Sequence, residues 1–326
     1  MMKIALLGIT TDIREVLEAL IEKGKNFDIG VFTSRPQVGE EIDCVDKIFA
    51  VRNVKEVKVQ DYDLAVFVGD ERLAKEYAHD WVNAGVKVIN ATEALSDYQE
   101  IPWAIAAVPI KECNIVNTIE GLSLPLAKAI YALKDLNIKD VKLTVLSGAD
   151  IAGQDGMSEL YNHTRKILMN EEPADKKVFP KTLAFNVIPQ VGGFIGEETE
   201  EEWKLAVDIK RILGEKLKIH VNCALVPVFV GLGAFVNIGF AREVTPEEVR
   251  NIFNKAKGFL TVDSQKDGGY AALTDVQGEK DIFISRIRQD GGNDKGISFW
   301  IAGDARKTAA ADLVELIVKM LKKEMK

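Results

Sequence analysis

Thiols and imidazoles are scarce in this 326-residue chain, which has three Cys (Cys44, Cys113, Cys223) and three His (His79, His163, His220). Three scattered thiols exclude a disulfide framework and a zinc-finger array. The same six residues do not assemble a four-ligand spacing, so no His/Cys metal site is expected. A net positive charge is also missing. The 42 Lys and Arg stand against 50 Asp and Glu, a formal net charge of −8. That balance argues against nucleic acid or an anionic membrane surface as a partner, since both need basic patches. Nor is there a long apolar run. Residues 1–8 are apolar only briefly before Thr10, Thr11 and Asp12. A signal peptide needs a longer run and a small-residue cleavage site. No stretch approaches the ~20 apolar residues of a membrane span. A cytoplasmic protein is expected.

What is present is ordinary globular material: 47% of residues are apolar. At ~150 residues per domain the length allows about two domains. The first 110 or so residues alternate strand and helix. Residues 3–8, 28–32, 64–69 and 86–90 read as strands; 12–23 and 71–84 read as helices, the first with Ile13, Val16, Leu17, Leu20 and Ile21 on one face. Strands separated by helices predict right-handed crossovers and a doubly wound parallel sheet.

The second half changes character. A helix is expected over 121–136 and a strand over 141–147. A glycine-containing stretch follows to about residue 180, too long for a simple loop. Strands at 182–188, 216–225, 228–240, 281–288 and 297–302, with a helix at 199–213, predict a mainly antiparallel α+β domain. Thr245-Pro246-Glu247-Glu248 carries the signals of a capping box. A final amphipathic helix is expected over 309–325, its Lys-rich end suited to the helix dipole.

The residues offer few chemical groups. Gly8-Ile9-Thr10-Thr11-Asp12-Ile13-Arg14 occupies the strand-to-helix turn where dinucleotide folds place their glycines. Only the first glycine is there, and Asp12 brings negative charge to the place of a phosphate. The turn therefore reads either as a weak phosphate site or as an ordinary helix start. Ser34 and Arg35 follow the second strand, where a 2′-phosphate is read, or simply form a turn with Pro36. Cys113 is a candidate nucleophile or a small buried hydrophobe. Cys223 and His220 fall inside one expected strand and read as structural, and His79 and His163 lie on expected helices or their edges. The Glu197–Glu202 acidic run suits a helix start, with a Glu201–Lys204 pair one turn on.

Several stretches, taken together, resemble the aspartate-semialdehyde dehydrogenases. They are Ile188-Pro189-Gln190-Val191, Thr199-Glu200-Glu201-Glu202-Trp203-Lys204, Lys210-Arg211-Ile212-Leu213-Gly214 and Cys223-Ala224-Leu225-Val226-Pro227-Val228-Phe229. Ser147-Gly148-Ala149 resembles that family's serine-glycine-alanine turn. Phe283-Ile284-Ser285-Arg286-Ile287-Arg288, then Lys295-Gly296-Ile297 and Trp300, resemble its late strand pair. In the first half, Lys75-Glu76-Tyr77-Ala78, Ala84-Gly85 and Val88-Ile89 fit as well. The resemblance runs in order along nearly the whole chain.

The resemblance implies an NADP-binding Rossmann domain over 1–120, rejoined by a helix at 303–326, and an α+β dimerisation domain over 121–302. It implies a homodimer and a chemistry in which a cysteine thioester carries the reductive dephosphorylation of aspartyl phosphate. The residues of that chemistry are replaced here. The family's catalytic cysteine falls on Glu120, its glutamine on Leu124, its phosphate-binding arginine on Ser96, its carboxylate-binding arginine on Leu225 and its general-base histidine on Leu232. Glu201 and Lys204, which in the family hold substrate amine and phosphate, are kept. A carboxylate cannot form the thioester, and leucine cannot transfer a proton or clamp a carboxylate. The expectation is an inactive family member that binds a partner protein or a small ligand in the vacated cleft. NADP binding is expected to be weak or absent, through Gly8, Thr10, Thr11, Ser34, Arg35 and Gly148. The alternative is an NADP-dependent dehydrogenase of altered chemistry, with Cys113 or Glu120 as the working residue.

Overall fold

The computed structural model describes residues 2–9, 13–24, 27–34, 37–110, 113–173 and 176–322. Thr10, Thr11 and Arg35, named above as cofactor candidates, lie outside these residues. The chain divides into two units: residues 1–120 with 309–326, and residues 121–308.

In the first unit the elements run β1 (Met2–Leu7), α1 (Ile13–Lys23), β2 (Phe27–Thr33), β3 (Glu41–Cys44), β4 (Lys47–Asn53), β5 (Leu64–Val68), α2 (Glu71–Asn83), β6 (Lys87–Ala91) and β7 (Ile115–Asn117). The sheet order is β3-β4-β2-β1-β5-β6-β7. Every pair is parallel except β3 with β4. The side-chain period of two explains the layering. Ile4 and Leu6 of β1 with Val66 of β5 join Val16, Leu17 and Leu20 of α1 in one core; Ala5, Leu7 and Phe67 join Leu73, Ala78 and Trp81 of α2 in the other. The first core is completed by Leu313, Leu316 and Ile317 from near the end of the chain.

The second unit contains α3 (Ser123–Ala132), β8 (Ile138–Ser147), α4 (Gly153–Leu168), β9 (Phe194–Ile195), β10 (Glu198–Thr199), α5 (Glu200–Leu213), β11 (Lys218–Leu225), β12 (Leu232–Phe240), α6 (Pro246–Lys255), β13 (Phe259–Thr261), β14 (Ile282–Gln289) and β15 (Gly296–Gly303). Helix α7 (Ala305–Lys322) follows, and its residues from Ala309 belong to the first unit. The six-stranded sheet has the order β11-β8-β12-β15-β14-β13. Its central pairs β8–β12, β12–β15 and β14–β15 are antiparallel, while β8–β11 and β13–β14 at the edges are parallel.

Four sequence expectations change. Residues 182–188 are not a strand: Phe185 takes a left-handed φ of 57°, Asn186 Nδ2 donates to the Thr182 carbonyl at 3.0 Å, and only Ile188 bridges Leu225. An asparagine that bonds its own backbone makes a turn, although the residues around it are apolar. The long stretch after Ser147 holds α4. Its Gly156 is required because a Cβ there would overlap the Ala149 carbonyl oxygen and Phe179. The strand expected from residue 228 begins at Leu232, since 228–231 is spent holding the turn after β8. At Thr245 the hydroxyl accepts from Glu248 N–H at 3.2 Å, but the Glu248 carboxylate turns to Arg242 instead of completing the box. The complete capping box is at α5, where Thr199 and Glu202 satisfy each other's backbone N–H.

Candidate active site

Ligands of parallel α/β sheets sit beyond the carboxyl ends of the strands, where the strand order reverses. In the first unit that place is between β1 and β5, at Gly8 and Gly69. Gly8 is buried at φ 107°, its N–H donates to Phe32 O at 2.9 Å, and a Cβ on it would overlap the Val68 carbonyl oxygen. The glycine is thus needed for packing against β5. Asp70, 2% exposed, places its Cβ beside this glycine, and its carboxylate caps α2 by accepting from Arg72 N–H at 3.1 Å. Ser34 is exposed after β2. The turn from Gly8 into α1, where a phosphate would meet the helix start, runs through Thr10, Thr11 and Asp12, which lie outside the described residues.

At the ends of β6 and β7 a closed polar network takes shape. Asn90 Nδ2 donates to Asn117 Oδ1 at 2.8 Å and to Thr92 O at 2.9 Å, Thr92 Oγ1 donates to Asn90 Oδ1 at 2.7 Å, and Asn117 Nδ2 donates to Leu95 O at 3.1 Å. All of these groups are buried and bonded to one another, which fixes the turn that leads to Glu120. Glu120 itself is exposed, and Ser96 caps the short 3-10 turn at Glu93–Leu95.

The two thiols of the first unit, Cys44 and Cys113, are placed away from this end. Cys113 precedes β7 at its opposite end and packs against the first unit's core. It is four positions before Asn117, about 13 Å of extended chain at ~3.3 Å per residue. Cys44 is fully buried. Cys223 is buried in β11, and burial, with Glu201 and Glu202 beside it, pushes its thiol up, away from the reactive thiolate. The imidazoles are no better placed for catalysis: His79 stacks on Tyr98, His163 is buried in α4, and His220 contacts the Asn222 amide at 3.3 Å.

In the second unit the sheet register brings together positions far apart in sequence. Leu225 and Leu232 both pair with Ser147 from opposite sides, and Leu232 also pairs with Gly303. The leucines are therefore two strand spacings apart, about 10 Å. Leu225 is 2% exposed and Leu232 0%. Their side chains are core, and no donor or base is aimed outward from either position. Leu124 is likewise buried in α3.

Beyond Ser147 the chain turns: Gly148 N–H donates to Gly231 O at 2.9 Å, and Asp150 N–H to Phe229 O at 2.9 Å. The Asp150 carboxylate folds back over Gly148, where a Cβ would meet it, and accepts from Gly231 N–H at 3.3 Å. Gly148 therefore serves this turn. Arg306 Nε lies 3.7 Å from both Asp150 and Asp304. Asp304 caps α7 by accepting from the N–H groups of Arg306 and Lys307, and also from Gly278. Burial pushes Asp150 up to about 6, against the Arg306 charge and the Gly231 N–H, which favour the carboxylate; Asp304 adds to the rise. Sequence reasoning passed over Asp150. Its only signal was an acid directly after Ser147-Gly148-Ala149.

Glu201 and Lys204 lie in the first turns of α5. The Lys204 ammonium meets Asp208, whose fully buried carboxylate also takes Arg211 at 2.8 Å and the Ser123 hydroxyl at 2.6 Å. Burial raises the Glu201 pKa, opposed by the Lys204 charge and assisted by Asp208. Glu202 fixes this helix start to the sheet by accepting from Cys223 N–H at 2.9 Å. Among the described residues no group of three or more His, Cys, Asp or Glu is placed to hold a metal ion, and no helix is long and apolar enough to cross a membrane.

A doubly wound parallel-sheet unit, followed by a mixed-sheet unit and a helix whose later residues belong to the first unit, is a two-unit architecture of the dehydrogenase type. Comparison with known proteins gives it a family. The model of the semialdehyde dehydrogenase NAD binding domain matches residues 3–144, and that of the semialdehyde dehydrogenase dimerisation domain matches residues 125–305. The aspartate-semialdehyde dehydrogenase of Rickettsia conorii is 31% identical, covering 98% of this chain and 97% of its own; that of Rickettsia bellii is 29% identical over the same shares. In fold, the chain is similar to aspartate semialdehyde dehydrogenase II from Vibrio cholerae, with a TM-score of 0.89, 24% identity and 98% of both chains covered. This chain belongs to the semialdehyde dehydrogenase family.

Proposed function

We propose that this chain is a catalytically inactive member of the family that acts by binding. The observation that carries the reading is the pair Leu225 and Leu232: their buried side chains flank Ser147 where the resemblance expects an arginine and a histidine. The thiols support it from a second direction. Cys44 and Cys223 are buried in the two cores, and Cys113 is at the wrong end of β7. No thioester then forms, and no imidazole is at hand for the proton. Binding of NADP is weak or absent on this reading, because the turn after β1 keeps only its first glycine and Asp12 brings negative charge to it. The chain is read as a cytoplasmic homodimer whose ligand or partner protein occupies the surface left by the lost chemistry.

The test is direct. Purified protein is incubated with aspartate semialdehyde, phosphate and NADP while NADPH absorbance is followed. No turnover is expected. Turnover that disappears in Cys113→Ala would overturn the reading. A thermal-shift titration addresses the cofactor separately, because a ligand that binds only the folded state raises Tm with its concentration. Little or no shift is expected, and a large shift at micromolar NADP would refute the weak-binding statement.

One observation favours a second reading, an enzyme of altered chemistry. Asp150 is held near pH 6 at the end of β8, within the range where a carboxyl group can both give and take a proton. If that reading holds, the assay above shows turnover in the wild type that survives Cys113→Ala and is lost in Asp150→Asn.

A further inference from the structure

We propose that a trough in the second unit, running from Phe235 to Arg288, binds a small amphipathic anion: a flat apolar body that carries a carboxylate or phosphate head. The trough shares no side chain with the candidate active site, so this binding stands apart from the lost chemistry.

Two adjoining cavities make the trough. The first, of about 470 Å³, is walled by Phe235, Trp300, Val228 and Leu273. The second, of about 590 Å³, is walled by Arg288, Lys266 and Asp267. Tyr270 and Arg286 line both, so the apolar end adjoins the cationic one. The register sets Phe235 opposite Trp300, and Trp300 opposite Ser285, across β12, β15 and β14. The rings of Phe235 and Trp300 stand 4.7 Å apart. The wall that faces them is tied down on three sides. Ala271 N–H donates to Ser285 Oγ at 3.1 Å, Trp300 Nε1 donates to Ala271 O at 2.8 Å, and Gln277 Nε2 donates to Val230 O at 3.0 Å. A concave site formed in advance loses little freedom when a ligand enters.

The cationic end is built on a distortion of the sheet. The ladder between β14 and β15 shifts register between Ser285 and Arg288, so Arg286 and Ile287 together oppose Phe299. Arg286 takes a left-handed φ of 57°. A long side chain is strained there, and bulges of this kind re-aim side chains beside functional sites. Asp263 holds the bulge in place: Oδ1 accepts from Ile287 N–H at 3.3 Å while Oδ2 accepts from Arg250 Nη2 at 2.7 Å. With Asp263 matched by Arg250, three cations, Arg286, Arg288 and Lys266, surround the cavity against the single acid Asp267. Among the described residues the Arg286 guanidinium has no hydrogen-bond or ion-pair partner. Its planar fork matches the oxygens of a carboxylate or a phosphate. The aromatic walls next to it select a flat apolar body to carry that head.

Calorimetric titration of the full chain tests the proposal, with 2-naphthyl phosphate and 2-naphthoate as probes. Saturable binding of at least one probe, one per chain, is expected. The neutral 2-naphthalenemethanol and inorganic phosphate should each bind at least about 10-fold more weakly. Arg286→Gly should raise the probe Kd roughly 10-fold or more and keep the wild-type circular dichroism, because glycine accepts φ 57°. Phe235→Ala should raise it similarly by removing the apolar wall; if that variant fails to fold, Arg286→Gly carries the test. Lys204→Gln, in the candidate active site, should leave the Kd unchanged. The proposal is overturned if neither probe saturates, if the alcohol or inorganic phosphate binds as tightly as the probes, or if folded Arg286→Gly keeps the wild-type Kd. Binding lost in Lys204→Gln and kept in Arg286→Gly puts the probe in the vacated cleft, which overturns this site and leaves the reading of an inactive binding protein standing.

Discussion

Asp150→Asn should stabilise the protein at neutral pH. The Asp150 side chain is 9% exposed, and its pKa is raised from 3.8 to about 6, mainly by burial. At 1.36 kcal/mol per pH unit, that difference makes the ionised group roughly 3 kcal/mol less favourable in the folded state than in the unfolded one. The sign follows from proton counting. Between pH 3.8 and about 6 the folded state holds a proton that the unfolded state has released, so stability falls as pH rises through that window and stays lower above it. Asparagine keeps the acceptor for Gly231 N–H and removes the charge. Urea denaturation at pH 7 should therefore show Asp150→Asn more stable by roughly 3 kcal/mol, the Arg306 attraction being already counted in the shifted pKa. At pH 4 the two proteins should differ little, and the wild-type decline between pH 4 and 6 should be shallower in the variant. A variant less stable than wild type at pH 7 would refute the reasoning, because the Arg306 ion pair would then outweigh the desolvation of Asp150.

Other substitutions probe the framework. Gly8→Ala should destabilise the first unit by roughly 2 kcal/mol or more, since φ 107° is closed to alanine and the new methyl overlaps the Val68 carbonyl; thermal melts read this. Asp208→Ala removes the fully buried carboxylate shared by Lys204, Arg211 and the Ser123 hydroxyl, and a loss of roughly 1–3 kcal/mol is expected in urea denaturation. Restoring a base by Leu232→His places imidazole at a fully buried position, so the variant should lose roughly 3 kcal/mol of stability and gain no activity, by denaturation and by NADPH absorbance respectively.

The sequence made the sheets legible where periodicity was strong. The strands β1, β5 and β6 are buried on both faces and read as continuous apolar runs, and α1 and α2 have clear apolar stripes. The short strands were not legible: β3 with Glu41 and Asp43, and the three-residue β7 and β13, are set by pairing partners and not by their own pattern. Helix α4 was hidden because Gly153 and Gly156 look like loop residues, although Gly156 is small to admit the Ala149 carbonyl. At 182–188 apolar alternation pointed to a strand that Asn186 and left-handed Phe185 turn aside. The candidate site was legible only as a set of replacements. Periodicity could mark Leu225 and Leu232 as strand residues, but only the register through Ser147 puts them side by side. Asp150 was not legible at all, because its character comes from burial and from Arg306, more than 150 residues away in sequence.

The central claim is that the chain binds without turning over, and the NADPH absorbance assay with aspartate semialdehyde, phosphate and NADP tests it most directly. The account predicts a rate indistinguishable from buffer for the wild type at every enzyme concentration. A rate that scales with enzyme and vanishes in Cys113→Ala or Asp150→Asn would contradict it.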